Sequence, residues 1–589
     1  MLVPSLDRLV AAAEQQGSLL LAEEPGRDPA DLARAALALV YRRLGDLLLA
    51  GVVDTPLLDG AAKVADPARA LGTLHEALLE LAPAVVEGRL VLAGQGSGRK
   101  AAGAWFTPAA LVAHLLDEAL EPALDEADDA SAVTVCDPAC GSGLFLVGAL
   151  RRIVRRGVPP HRAVQQLYGA DTDAAAVELA RLCLRLESRG EASGLRCTNP
   201  LLDDSWPDLE VDVVVGNPPF LNRLERLTAT TPEDARALAA RSSGTLRPYT
   251  DVSAVFLQRS VEWVRPGGRV ALVQPQSVLA ARDAAGVRAH LARTCSLESL
   301  WASDRPLFEA QVLTCAPVLR RGAGQGSVRR THGPGFASLP AHDAPDLERE
   351  WSHLLAAALG IPPVRLTGDR GVLGDIARAT ADFRDQYYGL APFVHEARDC
   401  PEGIPLVTSG LVDPAVCLWG RRPTRFLKRR WEAPVLSPDL LDDPALGAWA
   451  RSRLVPKVVV GTQGRVVEAV ADEAGSWLPS VPAITVVPVE EDRLWHVLAV
   501  LLAPPVAAHA AATYAGTALS MRAIKLSARQ VAGLPLPRHL APWDAAADAV
   551  RRAQHDPAER ARHLEEAGAL LCEAYGAGDD VLAWWRGRL

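Results

Sequence analysis

The chain has 589 residues, 49% of them hydrophobic, and a formal net charge of −9. That length allows roughly three or four domains of ~150 residues, each able to bury a core, while the acidic balance excludes whole-surface attraction to nucleic acid, so DNA binding would need a local basic patch. No apolar run reaches the ~18–20 residues of a membrane span, a start with Asp7, Arg8 and Glu14 is not expected to be a signal peptide, and nine cysteines without a CxxC pair suggest neither a zinc site nor a disulfide framework, so the expected setting is cytoplasmic, with no membrane.

Residues 1–100 read as a helical domain. Asp28-Pro29 and Asp66-Pro67 each set a capping residue before a proline at the first helical position. Leu71, Leu74, Leu78 and Leu81 then recur at helical spacing. A Gly-rich basic stretch, 94–100, ends this region. Residues 101–321 alternate strands with helices. The strand candidates are Val133–Cys136, Leu167–Ala170, Leu195–Cys197, Val211–Val215, Val270–Val273 and Val312–Leu319. Such alternation implies an α/β domain with a mostly parallel sheet covered on both faces. Residues 322–365 open with a Gly, Ser, Arg and Pro rich stretch and are expected to be a linker. Residues 366–540 mix short strands with loops, Val455–Thr462 and Ile484–Val487 being the clearest strands, and 541–589 return to helix.

Two segments carry the chemistry. Asp137-Pro138-Ala139-Cys140-Gly141-Ser142-Gly143 follows one apolar run and precedes a helical pattern. Strand, glycine turn and helix in that order bind a nucleoside-containing cofactor, because Gly141 and Gly143 allow close backbone approach. Asp137 can pair with a cofactor ammonium, directly or through water. The next strand ends at Asp171-Thr172-Asp173, where an acid can accept both ribose hydroxyls. Asp171 ranks first for that role and Asp173 second, with capping of the following helix as the alternative for Asp173. Asn199 ends the third strand, either to read an adenine edge or as a turn residue before Pro200.

The second segment, Asn217-Pro218-Pro219-Phe220, closes the run Val211–Gly216. A side-chain amide oxygen and a carbonyl held rigid by two prolines can accept both hydrogens of an amino group. Phe220 can stack on the planar ring that carries the amine. This is equipment for transfer onto an exocyclic amine. A basic cluster stands apart: Arg421, Arg422, Arg425, Lys428, Arg429 and Arg430, interleaved with Trp419, Phe426 and Trp431. Its cations suit phosphates and its aromatics suit bases; an exposed loop of salt-bridged arginines is the other reading. Lys457, Arg465, Arg522 and Lys525 are weaker candidates.

These motifs resemble the γ-class N6-adenine DNA methyltransferases, in particular Type I and Type IIG modification enzymes and phage-defence (BREX-like) methyltransferases. The resemblance covers about residues 70–540. Trp105-Phe106-Thr107-Pro108, ahead of the glycine turn, looks like the family's cofactor-contacting motif and assigns Phe106, Thr107 and Pro108 to S-adenosyl-L-methionine. Asp251–Leu257 and Val264–Val270 look like its next helix and strand. Arg305-Pro306-Leu307-Phe308 fits a later segment in which Phe308 would help hold the target base. Tyr514–Leu519 through Leu534–Pro537 resembles the ends of its recognition domains. Asn199 stands where the family often has aspartate.

The resemblance implies a Rossmann-like class I S-adenosylmethionine methyltransferase domain, an N-terminal helical region and a C-terminal mixed α/β target-recognition domain at 366–540. It implies double-stranded DNA as partner, with other restriction or phage-defence subunits as further partners. No acid stands two residues before any of the five lysines, so a nuclease of the D/E-x-K type is not expected. Amino-group transfer to RNA or protein, and a catalytically silent DNA-binding defence component, are the alternatives. A target base inside a duplex must be flipped out before its amine can react, and residues 221–250 are expected to form a lid over it. No metal and no covalent intermediate are required.

Overall fold

Aspartate–proline pairs start two of the first three helices. Asp28 accepts from the backbone N–H groups of Ala30 and Asp31 at the head of α2 (Pro29–Leu49), and Asp66 accepts from that of Arg69 at the head of α3 (Pro67–Leu79). Helix α1 spans Leu6–Glu23. A computed structural model describes the chain apart from residues 1, 53, 94–106, 204–205, 207–209, 221–231, 243, 248–249, 308–311, 323, 325, 343–350, 382–383, 481 and 515–523. The chain divides into two units, Met1–Glu350 and Trp351–Leu589.

The first unit is built on one sheet. Its strands are β1 (Val135–Asp137), β2 (Leu167–Asp171), β3 (Leu195–Cys197), β4 (Val211–Gly216), β5 (Val264–Leu272), β6 (Cys295–Ala302), β7 (Thr314–Arg321), β8 (Val328–His332) and β9 (Ala337–His342). Their order is β9-β8-β6-β7-β5-β4-β1-β2-β3, and a short strand at Gln274–Pro275 pairs with β7. Strands β3, β2, β1, β4 and β5 run parallel, whereas β7 is antiparallel to its neighbours β5 and β6. The helices are α4 (Ala109–Glu126), α5 (Leu144–Arg155), α6 (Ala174–Ser188), α7 (Val252–Trp263) and α8 (Ala285–Thr294).

Continuous apolar strands are what a sheet covered on both faces demands. Every residue of β4 is buried, Asp212 included. That carboxylate is tolerated because the Thr134 N–H and hydroxyl each donate to it at 2.8 Å and the Arg265 guanidinium also donates. The order of strands reverses at β1, which has β2 on one side and β4 on the other. A crevice at the carboxyl ends of such strands is where open α/β sheets bind ligands.

Two expectations about boundaries need correction. Residues 1–100 are not a separate helical domain: they include a β-hairpin (Ala82–Val86 with Arg89–Ala93), and Leu44, Leu71 and Leu90 share one core with Leu146 and Leu182 of the sheet's helices. An ion pair from Arg42 to Glu178 at 3.0 Å ties α2 to α6. The supposed linker at 322–365 holds β8 and β9, which lengthen the sheet. Val328 is buried, the Phe336 ring stacks on His114 with centroids 4.3 Å apart, and the Trp301 indole donates to the Gly333 carbonyl at 3.0 Å. Turn-rich composition concealed a short hairpin pinned by a few apolar contacts. Strand β6 was not anticipated either.

The second unit has strands β10 (Ala377–Ala381), β11 (Thr424–Phe426), β12 (Arg429–Trp431), β13 (Lys457–Val460), β14 (Ala469–Asp472) and β15 (Ile484–Pro488). An antiparallel sheet runs β10-β15-β13-β14. A second one joins Val394–Glu396, Pro434–Leu436, Ile404–Val407 and Leu478–Pro479. Helices α9 (Leu494–Leu502), α10 (Pro504–Thr513), α11 (Leu540–His555), α12 (Arg560–Tyr575) and α13 (Asp579–Arg586) follow. The helical segment 541–589 is not an appendage. Trp543, Val550 and Leu571 share a core with Val458 and Val486 of the sheet, and the Gln554 amide bonds both the N–H and the C=O of Ala471, at 2.9 and 2.8 Å. Among the described residues, no single helix is long and apolar enough to cross a membrane.

Candidate functional site

The candidate site lies at the carboxyl ends of β1, β2, β3 and β4. Past β1, the chain turns through Pro138–Gly143 into α5. Gly141 and Gly143 adopt left-handed φ angles of +50° and +84°, which disfavour any residue with a Cβ. A Cβ on Gly143 would meet Ala180 at 3.0 Å, whereas the space beside Gly141 is open. The turn is stitched to β2: the Cys140 N–H donates to the Ala170 carbonyl at 2.9 Å, and the Gly141 N–H donates to the Asp171 carboxylate at 3.0 Å.

Asp137 is buried, and one carboxylate oxygen accepts from the Ala139 N–H at 3.1 Å. Burial pushes its pKa up to about 8, the Ala139 hydrogen bond opposing and the charge of Asp171 adding to the rise. Asp171 is itself pushed up to about 6, chiefly by burial, against the Asp173 and Gly141 N–H groups that donate to it. Two neighbouring carboxyls that resist ionisation are a place where a cationic group would be welcomed. Gly216, the last residue of β4, makes their position possible: a Cβ there would fall 2.5 Å from the Asp137 carboxylate.

Asp171 and Asp173 divide their work. The Asp173 side chain accepts from the Ala175 N–H at 2.8 Å and is the N-cap of α6, whereas Asp171 braces the glycine turn. The Asn199 oxygen accepts from the Leu201 N–H at 3.1 Å, which makes a local turn.

Past Gly216, Pro218 is buried while Asn217, Pro219 and Phe220 are half-buried. Asn217 donates through Nδ2 to the buried Thr107 Oγ1 at 3.1 Å. That bond turns the amide oxygen away from Thr107. Phe220 rests against the core while keeping part of its ring exposed. A tether missed in the sequence supports the loop from below. The Val273 N–H donates to the Gly216 carbonyl at 3.0 Å, and the fully buried Gln274 amide donates to the carbonyls of Val273 and Ser253 at 3.0 and 3.1 Å. A polar residue directly after the apolar run 270–273 was its only sequence signal.

Pro108 is the N-cap of α4, directly after Thr107. Trp105, Phe106, Phe308, residues 221–231 of the expected lid and residues 515–519 lie outside the described residues. Arg421, Arg422, Arg425, Lys428, Arg429 and Arg430 lie in the second unit and are all exposed. Two of the aromatics among them are not available to stack, because Phe426 and Trp431 are buried; Trp419 is half-buried, and its indole donates to the Pro434 carbonyl at 2.8 Å. Lys457 is buried as well, ion-paired to Asp472, so it is a core residue and not a DNA contact.

Residues 93–330 match the family model of N-6 DNA methylase. The chain is 27% identical over 187 residues to the Type I restriction enzyme MjaIX methylase subunit of Methanocaldococcus jannaschii, covering 32% of this chain and 31% of that protein. It is 30% identical over 167 residues to the Type II methyltransferase M.VspI of Vibrio sp. strain 343, covering 28% and 35%. A 131-residue stretch is 32% identical to the adenine-specific methyltransferase PglX of Streptomyces coelicolor, covering 20% of this chain and 10% of PglX. The matched regions thus span about a third or less of these relatives' lengths. Among solved structures, the Type IIL restriction-modification enzyme MmeI in complex with DNA has a similar fold over 98% of both chains, with TM-score 0.61 and 13% identity. The DrdV–DNA complex is similar over 93% of this chain and 70% of that one, with TM-score 0.53 and 12% identity. The strand order around β1, the glycine turn and the NPPF loop agree with that match: residues 93–330 are similar to the N-6 DNA methylase family and lie on a Rossmann-like class I methyltransferase fold.

Proposed function

We propose that the chain transfers a methyl group from S-adenosyl-L-methionine to the N6 amino group of adenine at a specific sequence in double-stranded DNA, as part of restriction-modification or phage defence. The observation that carries this reading is the Asn217 amide, held by Thr107 at the end of β4 beside the Asp137–Gly143 turn. The residues fit the cofactor. The raised pKa values of Asp137 and Asp171 favour a positive tail beside them, the open space at Gly141 admits that tail, Asp171 can receive ribose hydroxyls, and the Asn199 amide can donate to adenine. When bound, the cofactor supplies an electrophilic methyl on a sulfonium.

This chain's own residues govern the amine. An adenine amino group is a poor nucleophile because its lone pair is delocalised into the ring. Asn217 Oδ1 and the Pro218 carbonyl would accept its two hydrogens and favour a pyramidal nitrogen with the lone pair directed outward. Phe220 would stack on the flipped base. The proton leaves the nitrogen after transfer. Alignment and preorganised dipoles supply the catalysis.

The second unit is assigned to site selection, and its exposed basic cluster to DNA contact. Further restriction or defence subunits and a cytoplasmic setting belong to the same proposal. Incubating the purified chain with labelled cofactor and duplex DNA, then digesting to nucleosides, tests it. Label in N6-methyladenine is expected; label only in RNA or protein would overturn it.

A further inference from the structure

We propose that the β11–β12 hairpin is a rigid prong that grips the phosphate backbone of duplex DNA through Arg425, Arg430 and Lys428. This rests on the DNA-methyltransferase reading and assigns its backbone contact to particular atoms. In a chain of net charge −9, residues 421–431 hold six cations and no acid. The hairpin has two unlike faces. Phe426 and Trp431 face inward and are 1% and 6% exposed, whereas Arg425 and Arg430 project from the opposite face; Lys428 at the turn and Arg429, the cross-strand partner of Phe426, are exposed as well.

The inward face is fastened at several points. The Leu427 N–H donates to the Tyr387 hydroxyl at 2.8 Å, the Trp431 indole donates to the Phe426 carbonyl at 3.1 Å, and the Tyr387 ring stands edge-on to Phe426 at 4.9 Å. The outward face is arranged against its own stability. Arg425 and Arg430 are direct cross-strand partners, and like charges so placed repel. Leu427 and Lys428 both take positive φ, +50° and +63°, at a turn for which Asn-Gly is the unstrained choice. Folding alone would select neither feature. A phosphate between two guanidinium forks removes the repulsion and uses both.

Two other cations of the cluster are engaged within the chain. Arg422 pairs with Asp413 at 3.1 Å, and Arg429 lies over the Trp431 ring at 4.9 Å. Arg430 has Glu432 at 3.4 Å, but both side chains are about 70% exposed, where water and salt weaken the pair. With its aromatics buried, the hairpin has no platform on which unpaired bases could stack, which favours the duplex backbone over a single strand.

The test uses the full chain and two duplexes of unrelated sequence, with affinity read by fluorescence anisotropy across a range of NaCl. Replacing Arg425→Ala and Arg430→Ala together should weaken both duplexes alike and flatten the salt slope by about 1.8, at ~0.9 per lost phosphate contact. Arg425→Lys with Arg430→Lys should keep most of the slope, and melting temperature should not fall in either variant. An unchanged slope in the alanine variant overturns the prong. So does a loss confined to one duplex, which would mark a base reader, or single-stranded RNA held more tightly than either duplex. Wild-type protein that binds neither duplex overturns the DNA-methyltransferase reading itself; wild type and variant binding equally overturn only the prong.

Discussion

Thr107 and Asn217, 110 positions apart in the chain, meet through one hydrogen bond: Nδ2 of Asn217 donates to Oγ1 of Thr107 at 3.1 Å. The threonine of a motif expected to serve the cofactor therefore also sets the orientation of the amide expected to serve the target amine. Asn217→Ala should reduce methyl transfer by ~10²–10³, the usual cost of losing one preorganised hydrogen bond, with little change in cofactor affinity. Thr107→Val should cost about 10–100-fold through misplacement alone, and Thr107→Ser should recover most of it. Single-turnover rates at saturating cofactor would check both; a full-speed Asn217→Ala enzyme would sink the proposed mechanism.

Phe220→Ala should weaken capture of the target base by ~1–3 kcal/mol, the worth of one stacked base. The effect should appear in the dependence on DNA concentration. A fluorescent base analogue at the target position would report flipping directly, and equal fluorescence with wild type and variant would remove Phe220 from this role.

Close approach at the cofactor pocket predicts a different pattern. Gly141→Asp introduces a side chain and a charge into open space next to the Asp171 carboxylate that its N–H meets, at a positive φ, and should abolish cofactor binding by calorimetry. Gly216→Ala would force its Cβ to within 2.5 Å of the Asp137 carboxylate and should weaken the same binding more mildly. Unchanged titration curves for Gly141→Asp would move the pocket elsewhere.

The raised carboxyls predict a pH dependence of stability. Asp137 titrates at about 8 in the folded protein, against about 3.9 when unfolded. A carboxyl raised in this way contributes stability that is fully present below about pH 4 and lost as pH rises through the folded value. Asp171, at about 6, acts in the lower part of the same window. The ligand-free protein should therefore melt at falling temperature from about pH 4 to 8, and Asp137→Asn should flatten the upper part of that fall. Parallel melting profiles for the two proteins would contradict the assignment.

Each unit has its own apolar core, so a 1–350 fragment is expected to fold and bind cofactor. It should methylate DNA poorly and without site preference. Retention of the full chain's site by the fragment would mean that the second unit does not choose it.

The parallel half of the sheet was legible because buried parallel strands are nearly unbroken apolar runs: β2 and β4 fall within a residue of their expected ends. The glycine turn and NPPF loop were legible because few backbones need those residues in that order. The rest was hidden for physical reasons. Strand β8 holds a single apolar residue, Val328, and β9 is short and without an apolar run, both among glycines and prolines that read as linker. Asp173 and Asn199 were ambiguous because one side chain can cap, turn or bind, and only three-dimensional neighbours decide which. Trp431 and Lys457 were misread from side-chain chemistry alone: residue type does not reveal burial, and Lys457 is fully buried against Asp472.

The left-handed residue at the tip of the β11–β12 hairpin marks a conflict between durability and use. Lys428, at φ +63°, sits where glycine would relax the chain, a relief of about 1 kcal/mol. A hairpin optimised only to survive heat would not carry a lysine there. Lys428→Gly should yield a protein that melts later and holds duplex DNA less tightly. An engineer screening variants for thermal tolerance alone would select that change and discard the contact it serves.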